Sequence, residues 1–310
     1  MTRTIPAGVQ PSLSAVGCSP AKINLTLEVL GRRPDGFHDL RSLVVGTGWT
    51  DCLQIEATTD GRIDLACDSN DLPTDERNLV VQAAVQLRDA IGADQLGAHC
   101  RLQKRIPLAS GLGGGSSNAA TALSLLNQIW NAGKSPEELA RIGQHIGSDV
   151  PLFFSLPSCL ISGRGERVEP WSMSWSGWAV ICWAAGAVRT AAVYAQWRPE
   201  DVGARRAGVA DATSVAGAPN ARSVAALCFN DLEPAVFHVV PSVRALWSAV
   251  GDAAGLEPRV SGAGRAVYVL YDERVEADRL CEQLNAQGTG QGSAVAPVPA
   301  DPSTTCEDDR

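Results

Sequence analysis

A glycine-rich segment between a predicted strand and a predicted helix constrains this chain more than any other feature. It reads Pro107-Leu-Ala-Ser-Gly-Leu-Gly-Gly-Gly-Ser-Ser-Asn118. Residues 99–106 before it alternate as a strand, and the apolar spacing from Ala119 to Trp130 predicts a helix. Glycines let the backbone approach a ligand closely, and the first turn of a helix offers unpaired N–H groups. The segment therefore predicts an anion site, most naturally for nucleotide phosphates.

This segment matches neither of the two common phosphate-binding signatures. No Gly-Lys-Ser/Thr follows it, so it is not a Walker A loop. It also fails the G-x-G-x-x-G pattern, because the sixth position from Gly111 is Ser116 and that from Gly113 is Asn118. Composition alone would favour a flexible linker, but a linker does not usually open a well-patterned helix.

The overall composition is that of an acidic globular protein. The chain has 310 residues, of which 45% are hydrophobic and 19% charged, enough for one large or two mid-sized domains. Its formal net charge is −8, without a cluster of Lys and Arg. Nucleic-acid affinity comes mainly from neutralised phosphates, so nucleic acid is not an expected partner. A negatively charged substrate would need a local positive site, because the global field does not supply one.

Cysteine usage and hydropathy indicate a cytoplasmic protein. The nine cysteines include no C-x-x-C pair, which argues against a disulfide framework and a zinc knuckle. No apolar run reaches the roughly 18 residues that a membrane span needs, so no membrane partner is expected. Residues 1–17 lack an apolar signal core, although composition leaves a short organellar targeting segment open. The sequence does not decide between a monomer and a homodimer.

Residues 19–30 alternate as a strand with two different faces. The apolar set, predicted to face the core, is Ile23, Leu25, Leu27 and Val29. The polar set, predicted to lie on an open face, is Lys22, Asn24, Thr26 and Glu28. Lys22 and Asn24 are therefore expected to point the same way.

Two further helices have clear start signals. Asn78 begins a helical pattern of apolar residues. Ser135 is placed as the N-cap of another helix, with Pro136 at its first position, Glu138 completing a capping box and Gly147 as the stop.

The second half of the chain has weaker patterns. Residues 171–188 are Trp-rich and strand-like, and residues 260–270 predict a glycine turn that leads into an apolar strand. Residues 198–222 lack periodicity and are predicted to be a mobile surface loop. Residues from about 287 are rich in Gly, Ser, Thr and Pro and are predicted to be a disordered tail. Mixed strands and helices without strict alternation favour an α+β fold.

Five segments in order give the chain a resemblance to the GHMP kinases, the family of galactokinase and of the homoserine, mevalonate and phosphomevalonate kinases. The glycine-rich segment resembles the phosphate loop of that family, and the match extends over roughly residues 18–285. The other four segments are Pro20-Ala-Lys-Ile-Asn-Leu25, Asp35-Gly-Phe-His-Asp-Leu40, Gly147-Ser-Asp-Val-Pro151 and Ser261-Gly-Ala-Gly264.

The resemblance implies a two-domain α+β architecture with the active site in the cleft between the domains. The expected N-terminal ATP-binding domain is 1–160, the C-terminal substrate domain is 161–286 and the tail is 287–310. The triple-glycine form of the loop resembles members that phosphorylate a hydroxyl of a cytidine diphosphate derivative in isoprenoid synthesis without mevalonate. ATP and Mg²⁺ are the cofactors that the family implies.

Two residues are expected to carry the chemistry. Asp149 is placed as the general base that accepts the proton of the substrate hydroxyl. Its alternative role is to cap the short segment that begins at Val150. Lys22 would hold that aspartate ionised and stabilise the nucleophilic oxygen or the γ-phosphoryl group, the alternative being a solvated strand lysine.

The resemblance also implies two sets of binding residues. The substrate set, with Phe37 stacking on the cytosine and His38 bonding its edge, is Asn24, Phe37, His38, Thr190, Tyr194, Gly262 and Gly264. The ATP set is Pro107, Leu108, Ala109, Ser110, Gly111, Leu112, Gly113, Gly114, Gly115, Ser116 and Ser117, with Lys104 and Asn78. Ser117 is also the expected metal ligand, and no carboxylate is assigned to the metal.

The chain departs from the family pattern at Phe37, where a tyrosine is usual, and in the apparent insertion 198–222. The rival interpretations are another GHMP kinase acting on mevalonate, homoserine or a sugar, and a catalytically silent nucleotide-binding sensor. The Gly-Phe-His segment and the triple glycine argue against the first rival. The presence of both Lys22 and Asp149 argues against the second.

Overall fold

The computed structural model describes residues 14–186, 188–202 and 212–299. A large sheet occupies the first half, and β3 is its longest strand. The strands and helices up to residue 170 are β1 (Ser14–Asn24), β2 (Thr26–Arg32), β3 (His38–Thr58), β4 (Ile63–Cys67), α1 (Leu79–Ile91), β5 (Gly97–Gln103), α2 (Gly114–Ile129), α3 (Pro136–Gln144), β6 (Ser158–Gly163) and β7 (Arg167–Pro170).

Strand β3 organises this sheet because its 21 residues are long enough to pair with four other strands. β1, β2, β5 and β6 all pair with it antiparallel, and β4 adds to β5 in parallel. α1 and α2 cover one face, where Leu53 and Ile55 of β3 pack against Leu87, Leu123 and Leu126. Apolar residues that recur at helical spacing on both helices create this core.

A second, smaller sheet forms from the later part of the chain. The elements after residue 170 are β8 (Gly177–Trp183), α4 (Thr190–Gln196), α5 (Ala212–Ala216), α6 (Ala221–Leu227), β9 (Phe229–Asn230), α7 (Glu233–Val239), α8 (Pro241–Ala254), β10 (Arg259–Val260), β11 (Ala266–Tyr271), α9 (Arg274–Ala286) and β12 (Gly292–Val298). The strand order of this sheet is β10-β11-β8-β12. Helices α7 to α9 pack on one of its faces, and its other face shares a core with the first sheet. The α+β prediction is confirmed.

The predicted strand 19–30 is two strands, and its polar face is not open. The apolar set lies in the core as expected, but Lys22, Asn24 and Thr26 are only 5%, 3% and 4% exposed. The second sheet packs on the apolar face instead, whereas the polar face lies against the glycine motifs: an added Cβ at Gly113 would lie 3.0 Å from the Lys22 Cγ, and one at Gly262 would lie 3.3 Å from the Asn24 Oδ1. Alternation identified the two faces correctly but carried no information on what would cover the polar one.

Two predictions of disorder were wrong where the structure describes the residues. Within the predicted tail, Gly292–Val298 form β12, because β8 offers an edge for antiparallel pairing that composition does not reveal. Within the predicted loop 198–222, the chain forms a 3₁₀ helix, Pro199–Val202, and α5, and the buried Val215 of α5 joins the core between the sheets. Residues 1–13, 187, 203–211 and 300–310 lie outside the described residues.

The helix start signals were reliable. Asn78 caps α1 by accepting from the Val80 N–H at 2.9 Å, and Ser135 and Glu138 form the expected capping box of α3. Helix α3 ends at Gln144, before the expected stop at Gly147. Among the described helices, none combines the length and apolar character needed to cross a bilayer.

Candidate active site

The glycine-rich segment connects β5 to α2, and the helix begins inside the glycine run. α2 starts at Gly114, so Gly114, Gly115, Ser116 and Ser117 are its first turn rather than part of a loop. Gly113 is the N-cap, with φ 73°, and as a glycine it has no side chain that could bond the first N–H groups of the helix. The first N–H groups of α2 are therefore left for a ligand, which is the arrangement that favours an anion.

The second glycine motif meets this segment backbone to backbone. The Ser261 hydroxyl donates to the Gly111 carbonyl oxygen at 3.1 Å, and the Ala266 N–H donates to the Ser110 carbonyl oxygen at 2.9 Å. A Cβ at position 264 would lie 2.1 Å from the Ser110 carbonyl oxygen, closer than any real contact. Glycine is required here because the two backbones touch.

Replacing Gly264 with alanine is expected to lower the free energy of unfolding by about 1–3 kcal/mol, because one of two packed backbones must move. We also expect weaker nucleotide binding, since the displaced backbone belongs to the glycine-rich segment. Thermal unfolding and ADP titration measure both effects. Gly217→Ala is the matched control, because its nearest contact would be an ordinary 3.4 Å. Equal stability of the two variants would contradict the close packing.

A cavity of about 1230 Å³ opens between strands of the first sheet, α4 and the two glycine motifs, and it brings together both predicted catalytic residues and the whole predicted substrate set. Three residues of the glycine-rich segment also line it. The predicted residues on its walls are Lys22, Asn24, Phe37, His38, Ala109, Gly111, Gly113, Asp149, Thr190, Tyr194, Gly262 and Gly264.

A smaller cavity of about 420 Å³ lies on the α1 side of the glycine-rich segment. The predicted ATP-binding residues on its walls are Asn78, Lys104, Pro107, Leu108, Ala109, Ser110, Gly111, Gly113, Gly114, Gly115 and Ser116. Ala109, Gly111 and Gly113 line both cavities, so the two spaces meet at the segment. This arrangement can hold two ligands with their reactive ends close together.

Two members of the predicted ATP set do not line either cavity. The Leu112 side chain is fully buried in the core, and its carbonyl oxygen accepts from the Lys22 N–H at 2.9 Å. Ser117 is 1% exposed, and its hydroxyl has no hydrogen-bond partner among the described residues. Leu112 precedes α2 and packs in the core, whereas Ser117 is covered on the first turn of the helix.

Lys22 lies on β1 beneath the N-cap of α2. Its ammonium donates to the Asn24 side-chain oxygen at 2.6 Å, and Asn24 in turn donates to the Ser42 hydroxyl at 2.8 Å. Burial lowers the pKa of Lys22, whereas the negative charge of Asp149 opposes that shift. The lysine is therefore a desolvated cation within electrostatic reach of the aspartate.

Asp149 does not cap the segment that follows it. That segment is a short 3₁₀ helix, Pro151–Phe154, with Val150 at its N-cap position and no side-chain hydrogen bond to the cap. Within the described chain, no side chain or N–H donates to the Asp149 carboxylate, which is half-buried on the cavity wall. The carboxylate is thus available to accept a proton from a ligand.

Three aromatic side chains surround one end of the larger cavity. His38 stacks on Tyr194 with ring centroids 5.1 Å apart and meets Trp197 edge-on at 5.6 Å. Burial, with a smaller contribution from the positive charge of Arg32, lowers the pKa of His38, so its imidazole is neutral at neutral pH. A neutral imidazole presents one donor and one acceptor, which suits a base edge.

The rim of this end is formed by Phe37, whose ring is 53% exposed. The Arg164 guanidinium lies 5.0 Å above the ring centroid and also lines the cavity. Thr190 is exposed at the first position of α4. A planar ligand ring could reach the face of Phe37 that Arg164 leaves free.

Sequence reasoning missed Trp197, Arg164 and Asp51. Trp197 follows Tyr194 by three residues at the end of α4, a spacing that could have indicated a shared face. Arg164 lies in a turn, and no local pattern singles it out. Asp51 is a lone carboxylate in a buried strand, and it pairs with the Lys104 ammonium. That unusual position was the only signal available.

Comparisons with known proteins agree with this arrangement. The model of the GHMP kinases N terminal domain matches residues 78–155, and that of the GHMP kinases C terminal domain matches residues 216–290. The 4-diphosphocytidyl-2-C-methyl-D-erythritol kinase of Pelotomaculum thermopropionicum is 38% identical over 250 residues, or 81% of this chain and 86% of that protein. The kinase of the same name from Symbiobacterium thermophilum is also 38% identical, over 85% of this chain and 93% of that protein.

Solved structures give the same result. A crystal structure of 4-(cytidine 5'-diphospho)-2C-methyl-D-erythritol kinase superposes with a TM-score of 0.77 at 29% identity, covering 91% of this chain and 98% of that one. Homoserine kinase from Cytophaga hutchinsonii superposes with a TM-score of 0.70 at 16% identity, over 96% of both chains. The second likeness concerns the fold alone.

Proposed function

Because this chain belongs to the 4-diphosphocytidyl-2-C-methyl-D-erythritol kinases of the GHMP family, we propose that it transfers the γ-phosphoryl group of ATP to the 2-hydroxyl of 4-diphosphocytidyl-2-C-methyl-D-erythritol. One observation supports this assignment more than any other. Lys22 and Asp149 line the larger cavity together with the glycines at which the two cavities meet.

The proposed transfer requires an acceptor for the hydroxyl proton and a leaving group on the γ-phosphorus. The substrate hydroxyl passes its proton to the Asp149 carboxylate as its oxygen forms a bond to the γ-phosphorus. The bond between that phosphorus and the β,γ-bridging oxygen breaks, and its electron pair remains on ADP. Asp149 suits this role because its carboxylate accepts no other hydrogen bond within the described chain.

Lys22 is proposed to stabilise the charge that develops during transfer. A cation in a site that excludes water acts more strongly than the same cation in bulk solvent. Lys22 is 5% exposed and Asn24 fixes its ammonium, so little reorganisation is needed at the moment of reaction. The N–H groups that begin α2 are proposed to hold the polyphosphate beside it.

Mg²⁺ is the metal that the kinase assignment implies, and Ser117 is the residue proposed to hold it. Its buried hydroxyl lacks a partner among the described residues, which fits a single oxygen ligand. The described residues contain no group of three or more His, Cys, Asp or Glu side chains that could hold a metal ion. Mg²⁺ usually keeps several waters and binds substrate phosphates, so one protein oxygen would suffice as its ligand. When bound, the ion would neutralise phosphate charge.

The aromatic end of the larger cavity is proposed to bind the cytosine. Phe37 and Tyr194 offer ring faces for stacking, and neutral His38 offers a donor and an acceptor to the base edge. Gly262 and Gly264 are proposed to lie near the diphosphate, with Thr190 and Asn24 as further polar contacts. Phe37 cannot supply the hydroxyl that a tyrosine would offer at the rim.

The remaining expectations are also proposals. The N-terminal family match, 78–155, falls within the proposed domain 1–160 and supports it, whereas the C-terminal match, 216–290, extends beyond the proposed domain 161–286. The smaller cavity is proposed to hold ATP, with Asn78 near the adenosine. We propose a cytoplasmic enzyme with a small-molecule substrate, without nucleic-acid or membrane partners, acting as a monomer or homodimer.

Substrate comparison tests this assignment. ADP release should occur with the cytidylyl substrate at a kcat/KM about 10⁴-fold above that for mevalonate or homoserine, because their smaller bodies leave buried polar groups unpaired. Coupled assays with each alcohol measure the ratio, and ³¹P NMR identifies the phosphorylated hydroxyl. Turnover restricted to mevalonate or homoserine would reject the substrate. Absence of turnover with all three alcohols, despite bound ATP, would favour a silent sensor.

A further inference from the structure

The buried carboxylate of Asp51 lies where the chain leaves the first sheet for the glycine-rich segment. Asp51 is fully buried in β3. Its neighbour Cys52 pairs with Gln103, the last residue of β5, so Asp51 lies just beyond the end of that ladder. The N–H groups of Arg105 and Ile106 donate to one of its oxygens at 2.7 and 2.9 Å. The carboxylate thus replaces the strand partner that the departing chain has lost.

The other Asp51 oxygen binds two side chains. The Lys104 ammonium donates to it, and so does the Asn118 side-chain amide, at 2.9 Å. The Lys104 ammonium also donates to the Asn118 side-chain oxygen at 3.2 Å, which closes a triangle. Because Asn118 belongs to α2, this single carboxylate joins β3, the end of β5 and the phosphate-binding helix.

The triangle reaches the proposed nucleotide cavity. A Cβ at Gly114 would lie 3.2 Å from the Lys104 ammonium, so the cation sits against the first residue of α2. Lys104, Asn118 and Gly114 all line the smaller cavity. The Lys104 side chain is only 6% exposed, so its cation depends on Asp51 for compensation.

We propose that Asp51 is a positioning residue for nucleotide binding: through Lys104 and Asn118 it fixes the cation and the start of α2 against which the ATP phosphates bind. This inference rests on the proposed function, because it assigns the smaller cavity to ATP. Lys104 then acts from the cavity wall in the position where Asp51 holds it. The cytidylyl end of the site has no contact with the triangle.

The test replaces Asp51 with asparagine. An asparagine oxygen can still accept from the two backbone N–H groups, but its NH₂ group would then face the Lys104 ammonium and the Asn118 amide. We expect the Kd of Mg²⁺–ADP and the KM for ATP to rise about tenfold, the effect of losing one charge-assisted hydrogen bond. The KM for the cytidylyl substrate should not change. Isothermal titration and steady-state kinetics measure the three constants.

A second variant separates positioning from general destabilisation. In a K104M background the ammonium that Asp51 positions is absent, so the D51N substitution should cost less ADP affinity there than in the wild-type protein. If D51N does not fold, D51N/K104M is compared with K104M, and Asp51 should still affect ADP affinity. Asp272→Asn is the control, because that carboxylate accepts from the Trp175 indole and the Ala221 N–H, outside both cavities.

The possible results are separable. Unchanged ADP affinity in D51N, or equal losses for ATP and the cytidylyl substrate, would overturn the positioning role. If D272N lost as much ADP affinity as D51N, the loss would reflect general destabilisation of the protein. That result would also overturn the positioning role of Asp51. Failure of the wild-type protein to bind ADP would instead reject the proposed function.

Discussion

Replacing Asp149 with asparagine is expected to lower kcat by about 10²–10⁴-fold, the usual contribution of a general base. Asparagine keeps the size of the side chain but cannot take the hydroxyl proton. Since Asp149 lines the cavity for the alcohol and not the one assigned to ATP, the Kd of ADP should stay unchanged. Single-turnover kinetics and ADP titration measure the two effects.

Asp278→Asn is the matched control for this substitution, because Asp278 lies on α9 and pairs with Arg274 at the surface. It should retain wild-type kcat. A D149N enzyme with undiminished kcat would show that the proton leaves by another route, and the assignment of Asp149 would fail.

Replacing Lys22 with methionine is expected to lower kcat by about 10²–10³-fold, as loss of one preorganised donor to a developing charge does elsewhere. Methionine suits the buried site and removes only the charge and the hydrogen bond to Asn24. Lys134→Met is the control, because that surface lysine pairs with Glu138 away from both cavities. Loss confined to the KM for ATP would contradict transition-state stabilisation by Lys22.

Lys22 should also determine how kcat falls as the pH becomes alkaline. Burial lowers the pKa of Lys22 from its ordinary 10.5, so its active, charged form is lost at a lower pH than for a solvated lysine. As the pH rises, the kcat of the wild-type enzyme should therefore begin to fall at a pH below 10.5. The residual activity of K22M should lack this limb.

The sequence predicted the features of the site that depend on local chemistry. Gly111 and Gly113 have positive φ values of 86° and 73°, as their place in a phosphate-binding segment suggested. The caps of α1 and α3 were equally local, because an N-cap side chain bonds an N–H two or three residues ahead. Alternation also put Lys22 and Asn24 on one face, where they are hydrogen-bonded.

Features that depend on distant segments were not predictable in this way. The face of Lys22 is covered by Gly113 and Gly262, about 90 and 240 residues later in the chain, where an added Cβ would lie 3.0 Å and 3.3 Å from the lysine side chain. Asp51 gains its role from residues 104–106 and 118, far from it in sequence. β12 is a strand because β8 has a free edge, which overrides a composition typical of tails.

Trp197 illustrates a third limit. Its ring contacts His38 from the end of α4, although 159 positions separate the two residues. Its indole N–H has no partner among the described residues, a feature that only coordinates reveal. Local spacing could connect Trp197 with Tyr194, but not both with the histidine.

A crystal structure of the enzyme with a non-hydrolysable ATP analogue and the cytidylyl substrate would test the central claim most directly. The account predicts a substrate hydroxyl within about 3 Å of the Asp149 carboxylate, in line with the γ-phosphorus and next to the Lys22 ammonium. It also predicts the cytosine against His38 and Tyr194, and the polyphosphate at the start of α2. A hydroxyl bound away from Asp149, or phosphates held elsewhere than at Gly113 and Gly114, would contradict it.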